Sequence, residues 1–510
     1  MRPNARGGTD PDVRLKKGMT MSKRPVFWIF LVLLAGLSLF FAVTNFSKVM
    51  PIVSLDLKMD RRAALSAARS LAEQNHWGPS GAYKQAASFS VDDTVKTFVE
   101  LEGGGKEAFG SMLSRGLYAA YTWRVRHFRE GEANETTVFF TPEGKPYGFV
   151  EKLREDAPGR SLSETEARAL AEDLAGRVWR VDLSQFLSAE TSKEVKPSGR
   201  TDYTFVYERP SERQGEGRYR LRLVVGGDRL TRLTHSLKVP ETFTRHYEEM
   251  RSANNAIALG AMALAVVLYL IGGGGIGLFK LLRQRWVIWR TPLILAVIIA
   301  FVEALGAINS WPIGWMRYDT ALSGSTFMLN RILQVLLLFL LEVFVLSLSL
   351  IAAESLTRRA FPRHPQFWRI WSRDAAGTIQ VLGRTIGGYL YACLEMAYIV
   401  GFYLIAIRFF HWWTPSDSLV DPDILAHYLP WLSAVAPSLH AGVWEEALFR
   451  AIPIAGAALI GSRFGHRRWW IGGALVVQAV VFGGGHASYP SEPAYSRLVE
   501  LVVPSLVWAL

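Results

Sequence analysis

Apolar and polar positions divide the chain into blocks of different period. Phe27 to Phe46 is a continuous apolar run of about 20 residues, the length that crosses the hydrocarbon of a bilayer as one helix. Residues 47–252 then carry the mixed periodicities of a water-soluble domain. From Asn255 the chain turns apolar again, in segments at 255–279, 292–309, 328–353, 386–408, 431–460 and 469–485, and another begins near 498. The pattern predicts a polytopic all-α membrane bundle of about eight transmembrane helices, the last incomplete at Leu510, with an α+β domain inserted after the first helix. The expected boundaries are 1–26 for a basic N-terminus, 27–46 for the first transmembrane helix, 47–252 for the inserted domain and 253–510 for the bundle.

The inserted domain shows an internal duplication. Ala68-Arg69-Ser70-Leu71-Ala72-Glu73 recurs as Ala167-Arg168-Ala169-Leu170-Ala171-Glu172, and Tyr121-Thr122-Trp123-Arg124-Val125 recurs as Tyr203-Thr204-Phe205-Val206-Tyr207. Each unit reads as an amphipathic helix followed by strands. Ser163 and Glu166 form a capping box that starts the second helix. Arg218 to Val225 alternates polar and apolar and then turns at Gly226-Gly227-Asp228, a strand followed by a hairpin turn. Asn134-Glu135-Thr136 matches a glycosylation sequon, a triplet common by chance.

Charge orients this plan. The net charge is +12, but the Lys and Arg residues flank apolar segments, as topology signals do. No recognition motif accompanies them, so nucleic acid is not an expected partner. Residues 280–290, 354–385 and 461–468 are rich in arginine, whereas 310–326 holds only Arg317 and 409–430 has Asp417, Asp421 and Asp423 instead. The basic loops are expected in the cytoplasm, together with the N-terminus, which carries Lys23 and Arg24 ahead of the first helix. The chain is then a multi-pass protein of the cell membrane and the inserted domain is extracytoplasmic. Trp311, Trp315, Trp412 and Trp413 read as an aromatic belt at the outer boundary. The single cysteine, Cys393, excludes an intrachain disulfide or a cysteine zinc site. Gly272-Gly273-Gly274-Gly275 ends a hydrophobic helix without a strand before it, so close helix packing is expected there rather than a phosphate loop.

Candidate chemistry concentrates near the C-terminus. Trp444-Glu445-Glu446-Ala447-Leu448-Phe449-Arg450 places two carboxylates and an arginine inside an apolar segment, where ionisable groups are costly and mark function. On a helix Glu446 and Arg450 share a face and can pair, while Glu445 is turned about 100° away without a local cation. Glu445 is therefore the candidate general base. Phe482-Gly483-Gly484-Gly485-His486 follows in the next apolar segment and supplies a histidine able to polarise a water or hold a metal with Glu445. Glu303, Glu342 and Glu395 stand singly on three other apolar segments, and His440 reads as structural.

Glu-Glu-x-x-x-Arg followed by Phe-x-x-x-His resembles the CPBP intramembrane metalloproteases, which include the type II CAAX prenyl endopeptidases and the abortive-infection-like proteins. The likeness covers about the last hundred residues, within a protease-like core expected over 386–510. By this resemblance Glu445 activates water, Glu446 and Arg450 complete the first motif, and His486 is the second-motif histidine. It implies peptide-bond hydrolysis in a membrane-embedded or lipidated substrate. It also implies a divalent metal, zinc among the options, at Glu445 and His486, although a metal-free glutamate mechanism is argued for the family too. The family's third motif, His-x-x-x-Asn/Asp, does not occur between His486 and Leu510, and the expectation is a fragment rather than an incomplete site. The rival reading is a catalytically inactive scaffold or sensor whose outer domain binds a partner. A proton-coupled transporter predicts inverted repeats, which the sequence lacks.

Overall fold

Alanine stripes decide how the inserted domain packs. Helix α2 (Arg61–Asn75) buries Ala64, Ala68 and Ala72, and helix α5 (Glu164–Arg177) buries Ala167, Ala171 and Ala175. Residues four apart share one helix face, and methyl side chains let that face lie close on a sheet. Both helices are capped at the start. Asp60 accepts from the Ala63 amide at 2.8 Å, and Ser163 with Glu166 makes the reciprocal capping box.

The computed structural model describes residues 25–79, 81–116, 118–364, 372–418 and 421–509. The basic residues ahead of Pro25, and Arg369 in the loop 354–385, lie outside them. After α1 (Pro25–Val49), α2 leads into β1 (Lys84–Val91), α3 (Asp93–Leu101) and α4 (Gly105–Ser114). Strands β2 (Tyr121–Phe128), β3 (Glu135–Phe140) and β4 (Pro146–Lys152) complete the first half. The second half is α5 followed by β5 (Leu187–Val195), β6 (Thr201–Gln214), β7 (Gly217–Gly226) and β8 (Arg229–Lys238). All eight strands form one antiparallel sheet in the order β1-β2-β3-β4-β8-β7-β6-β5. Each half is thus a leading helix and four antiparallel strands in sequence order, with α3 and α4 inserted between β1 and β2 in the first half, and the halves meet through their last strands, Phe149 opposite Leu233 and Val150 opposite Arg232. The recurring sequences take equivalent places, α2 and α5 for one pair and β2 and β6 for the other. Gly148 permits the join, because a Cβ there would sit 2.5 Å from the Leu233 carbonyl oxygen. Trp77 bridges the halves, stacked on Phe149 at 4.1 Å and packed into the cores of both.

Helices α6 (Glu241–Arg283), α7 (Arg290–Asn309), α8 (Gly324–Ala360), α9 (Ile379–Phe410), α10 (Pro430–Phe464) and α11 (Arg467–Gly485) follow, and α12 (Ser496–Trp508) comes last. With α1, seven helices among the described residues are long and apolar enough to cross a membrane, α11 being counted through Ser488. The segment near 498, expected as the incomplete last helix, forms the 13-residue α12 and is not among these seven. Two helices carry π-helical stretches, Val266–Gly277 in α6 and Glu446–Ala451 in α10.

By its contacts the chain forms two units. One contains α1 up to Asn45 and residues 365–403, which include the first part of α9; the other holds the sheet and the remaining helices. Residues 386–403 of the expected 386–510 core therefore group with α1.

Within the larger unit the sheet domain rests on the loops 310–326 and 409–430. Arg126 donates to the carbonyls of Trp315 (3.2 Å), Met316 (3.2 Å) and Tyr318 (2.7 Å). Lys96 pairs with Asp417 at 2.7 Å, both buried. Glu100 accepts from Trp413 Nε1 (2.9 Å) and the Ser416 amide (3.3 Å), and Asp423 accepts from the Phe89 amide at the edge strand β1 (3.1 Å). Trp315 and Trp413 are thereby drawn into this junction instead of the expected aromatic belt: Lys84 lies 4.5 Å above Trp315, and Trp413 is buried.

Candidate active site

Glu445 is the last α-helical residue before the π-helical turn Glu446–Ala451 of α10. A π turn inserts one residue into the helical repeat and changes which side chains share a face. Glu446 and Arg450 remain neighbours, but as a loose pair with Arg450 Nε 3.8 Å from Glu446 Oε2. Arg450 is buried and its guanidinium lies over Phe482 (4.3 Å) and Trp508 (4.9 Å), while Nη2 is 3.5 Å from Ser505 Oγ. The Glu446 side chain is 57% exposed on the protein surface. Arg450 thus anchors α10 to α11 and α12 through aromatic faces as much as through its carboxylate.

His486 closes α11. Its Nδ1 is 2.9 Å from the Phe482 carbonyl, which can only accept, so Nδ1 carries the proton. In the neutral ring Nε2 then presents a lone pair, and this atom is 3.8 Å from Glu445 Oε1. Both side chains are 26% exposed. Two acceptors face each other beyond hydrogen-bond length, at a separation that one water donating to both would bridge. The Phe482 ring lies tilted beside His486, centroids 4.5 Å apart, and walls the pair. The three glycines ahead of His486 serve helix packing: a Cβ on Gly483 would lie 2.9 Å from the Leu498 carbonyl oxygen of α12, and one on Gly484 would lie 2.9 Å from Ala261 of α6. The glycines of α6 behave alike, Gly273 abutting Ile452.

Residues outside the two motifs hold this pair. Asn254 on α6 is fully buried and donates to the carbonyls of Ser491 (3.1 Å) and Ala494 (3.4 Å), and Arg251 donates to the Ser488 carbonyl (2.7 Å). They fix the loop that follows His486. Neither stood out in the sequence, because a polar residue on the amphipathic start of a long helix reads as solvated. On the other side, His440 Nε2 lies 3.0 Å from Glu342 Oε2 of α8, and Trp444 Nε1 donates to Ser349 Oγ of α8 (3.3 Å). Glu303 of α7 has a buried Oε1 without a hydrogen-bond partner among the described residues. His440 therefore joins α10 to α8 one helical turn before Trp444, a pairing that sequence spacing on α10 alone does not reveal. Glu395 belongs to the other unit.

The metal implied by the resemblance finds two donors here, Glu445 and His486. Among the described residues no group of three His, Cys, Asp or Glu side chains converges. A catalytic zinc takes three protein ligands, of which Glu445 and His486 would supply two here. Comparison with family descriptions, with curated proteins and with solved structures finds no match.

Proposed function

We propose that this chain is an intramembrane endopeptidase acting on a membrane-embedded or lipidated polypeptide. The observation that carries the reading is the Glu445–His486 pair, 3.8 Å apart with the imidazole proton fixed on Nδ1. Glu445 takes a proton from water as the water oxygen adds to the carbonyl carbon. His486 Nε2 orients that water. The carbon–nitrogen bond then breaks and the amine leaves with the proton held by Glu445. No step runs through a metal. The docking of the sheet domain on 310–326 and 409–430, the loops poorest in arginine, supports placing both outside, with the basic loops and the N-terminus in the cytoplasm of a cell-membrane protein.

The test compares new N-termini in membranes of cells carrying the wild type, Glu445→Gln or His486→Ala. Cleavages within apolar segments are expected to fall at least about 100-fold in both variants. Identical termini in all three strains would reject the reading. Treatment of purified protein with a chelator is expected to leave cleavage unchanged, and a loss restored by zinc would place a further ligand beyond the described residues. The second reading, a non-catalytic sensor, is favoured by the buried junction under the sheet. It predicts full biological function in Glu445→Gln.

A further inference from the structure

A groove of about 900 Å³ opens between α6, α10 and α11, lined by none of the residues of the Glu445–His486 site. Its walls are apolar over most of their length. From Leu268 to Lys280 on α6 it runs roughly 18 Å at helical rise, close to the length of an acyl chain. Glycine makes the room: Gly456 on α10 and Gly473 on α11 both line the groove, and a Cβ on either would meet nothing within 4 Å.

One end is chemically different. Lys280, Gln284 and Arg359 line it, and Trp469 stands beside them, 81% exposed. These residues lie at the end of α6, the end of α8 and the start of α11, hence at one level, and an exposed tryptophan there marks the membrane–water interface. Neither Lys280 nor Arg359 has a carboxylate partner among the described residues, whereas the adjacent Arg358 is paired with Glu354 at 3.1 Å. Two cations without a carboxylate partner, Arg359 lying 5.8 Å from the Trp286 ring centre, thus stand at the headgroup end of an acyl-sized channel.

We propose that this groove is a binding site for an anionic phospholipid, one acyl chain lying along the glycine wall and the phosphate between Lys280 and Arg359. The inference rests on the bundle crossing a membrane and not on any catalytic reading. Each cation at headgroup level favours an anionic lipid by about fivefold.

The full chain, purified in detergent, is exposed to equal amounts of phosphatidylglycerol and phosphatidylcholine, and the lipid it retains is counted by native mass spectrometry. The wild type is expected to retain phosphatidylglycerol at least about tenfold over phosphatidylcholine. Lys280→Gln with Arg359→Gln reduces that preference to about one while chains are still held. Gly456→Leu with Gly473→Leu, which fills the groove with better helix formers, abolishes retention. Where that variant does not fold, Val477→Trp fills the groove from α11 and is read instead. Equal retention of the two lipids by the wild type, or undiminished retention in a filled groove, overturns the proposal. So does full displacement of the lipid by glycerol phosphate, which would make the site one for a free anion.

Discussion

Asp423 shows how one side chain can carry the pH response of a junction. Burial, and then the neighbouring Asp421 charge, raise its carboxyl to about 6. A carboxyl raised in the folded state stabilises most below its unfolded pKa and loses that contribution as pH rises through the folded value. The junction is thus expected to gain stability as pH falls from about 6 towards 4. Asp423→Asn keeps an oxygen for the Phe89 amide and mimics the neutral acid. It should raise stability at pH 7 by about 1–2 kcal/mol and flatten the pH slope in that window. Thermal unfolding of the two proteins between pH 4 and 7 checks this, and a lower melting temperature for the variant at pH 7 would refute it. At the same scale, Glu445 stood out in the sequence because it is a carboxylate without a local cation, beside a paired one, in an apolar segment. Its spatial partner was recognisable only as a second motif. His440 reads as structural in the sequence and ties α10 to α8, but its partner was not legible, because Glu342 is 98 residues away.

Helices and strands were legible to different degrees. Long apolar runs have little alternative to a spanning helix, so those segments matched the sequence closely, and the capping box of α5 is local chemistry that forms as written. The π turns were not legible, because an inserted residue is stabilised by tertiary packing and leaves the apolar composition unchanged. Glycine packing tests at this scale. Gly484→Leu in α11 would drive side-chain atoms into Ala261 of α6, and a destabilisation of about 2–3 kcal/mol is expected, with His486 displaced. Gly472→Leu, where a Cβ meets nothing within 4 Å save open space on the same helix, should be neutral within about 0.5 kcal/mol. Equal melting temperatures for the two variants would show that the α6–α11 contact does not limit stability.

At the scale of the molecule, the larger unit is joined by contacts that no single segment announces. Sequence periodicity set out a soluble domain and a bundle, but the edge-to-edge union of β4 with β8 and the seating of the sheet on 310–326 and 409–430 depend on partners far apart in sequence, 192 residues for Arg126 with Tyr318 and 316 for Glu100 with Ser416. The tryptophans assigned to a belt illustrate this: an aromatic at a helix end suits lipid and a protein junction equally, and only Glu100 decides for Trp413. Lys96→Met is expected to cost about 3–5 kcal/mol by leaving Asp417 buried without its cation, and Lys96→Met with Asp417→Leu should recover most of that. Protease protection of the sheet domain in detergent reads both, and a double variant no better than the single one would show that the pair is not the main tie. The course of α6 adds a mechanical consequence. It leaves β8 after the two-residue link Val239-Pro240 and continues unbroken for 43 residues, about 65 Å. On its way it grips the loop behind His486 through Arg251 and Asn254. Arg251 and Asn254 thus tie the sheet's exit helix to the loop behind the imidazole, so a tilt of the sheet that moved the start of α6 would be passed to His486 through these two side chains.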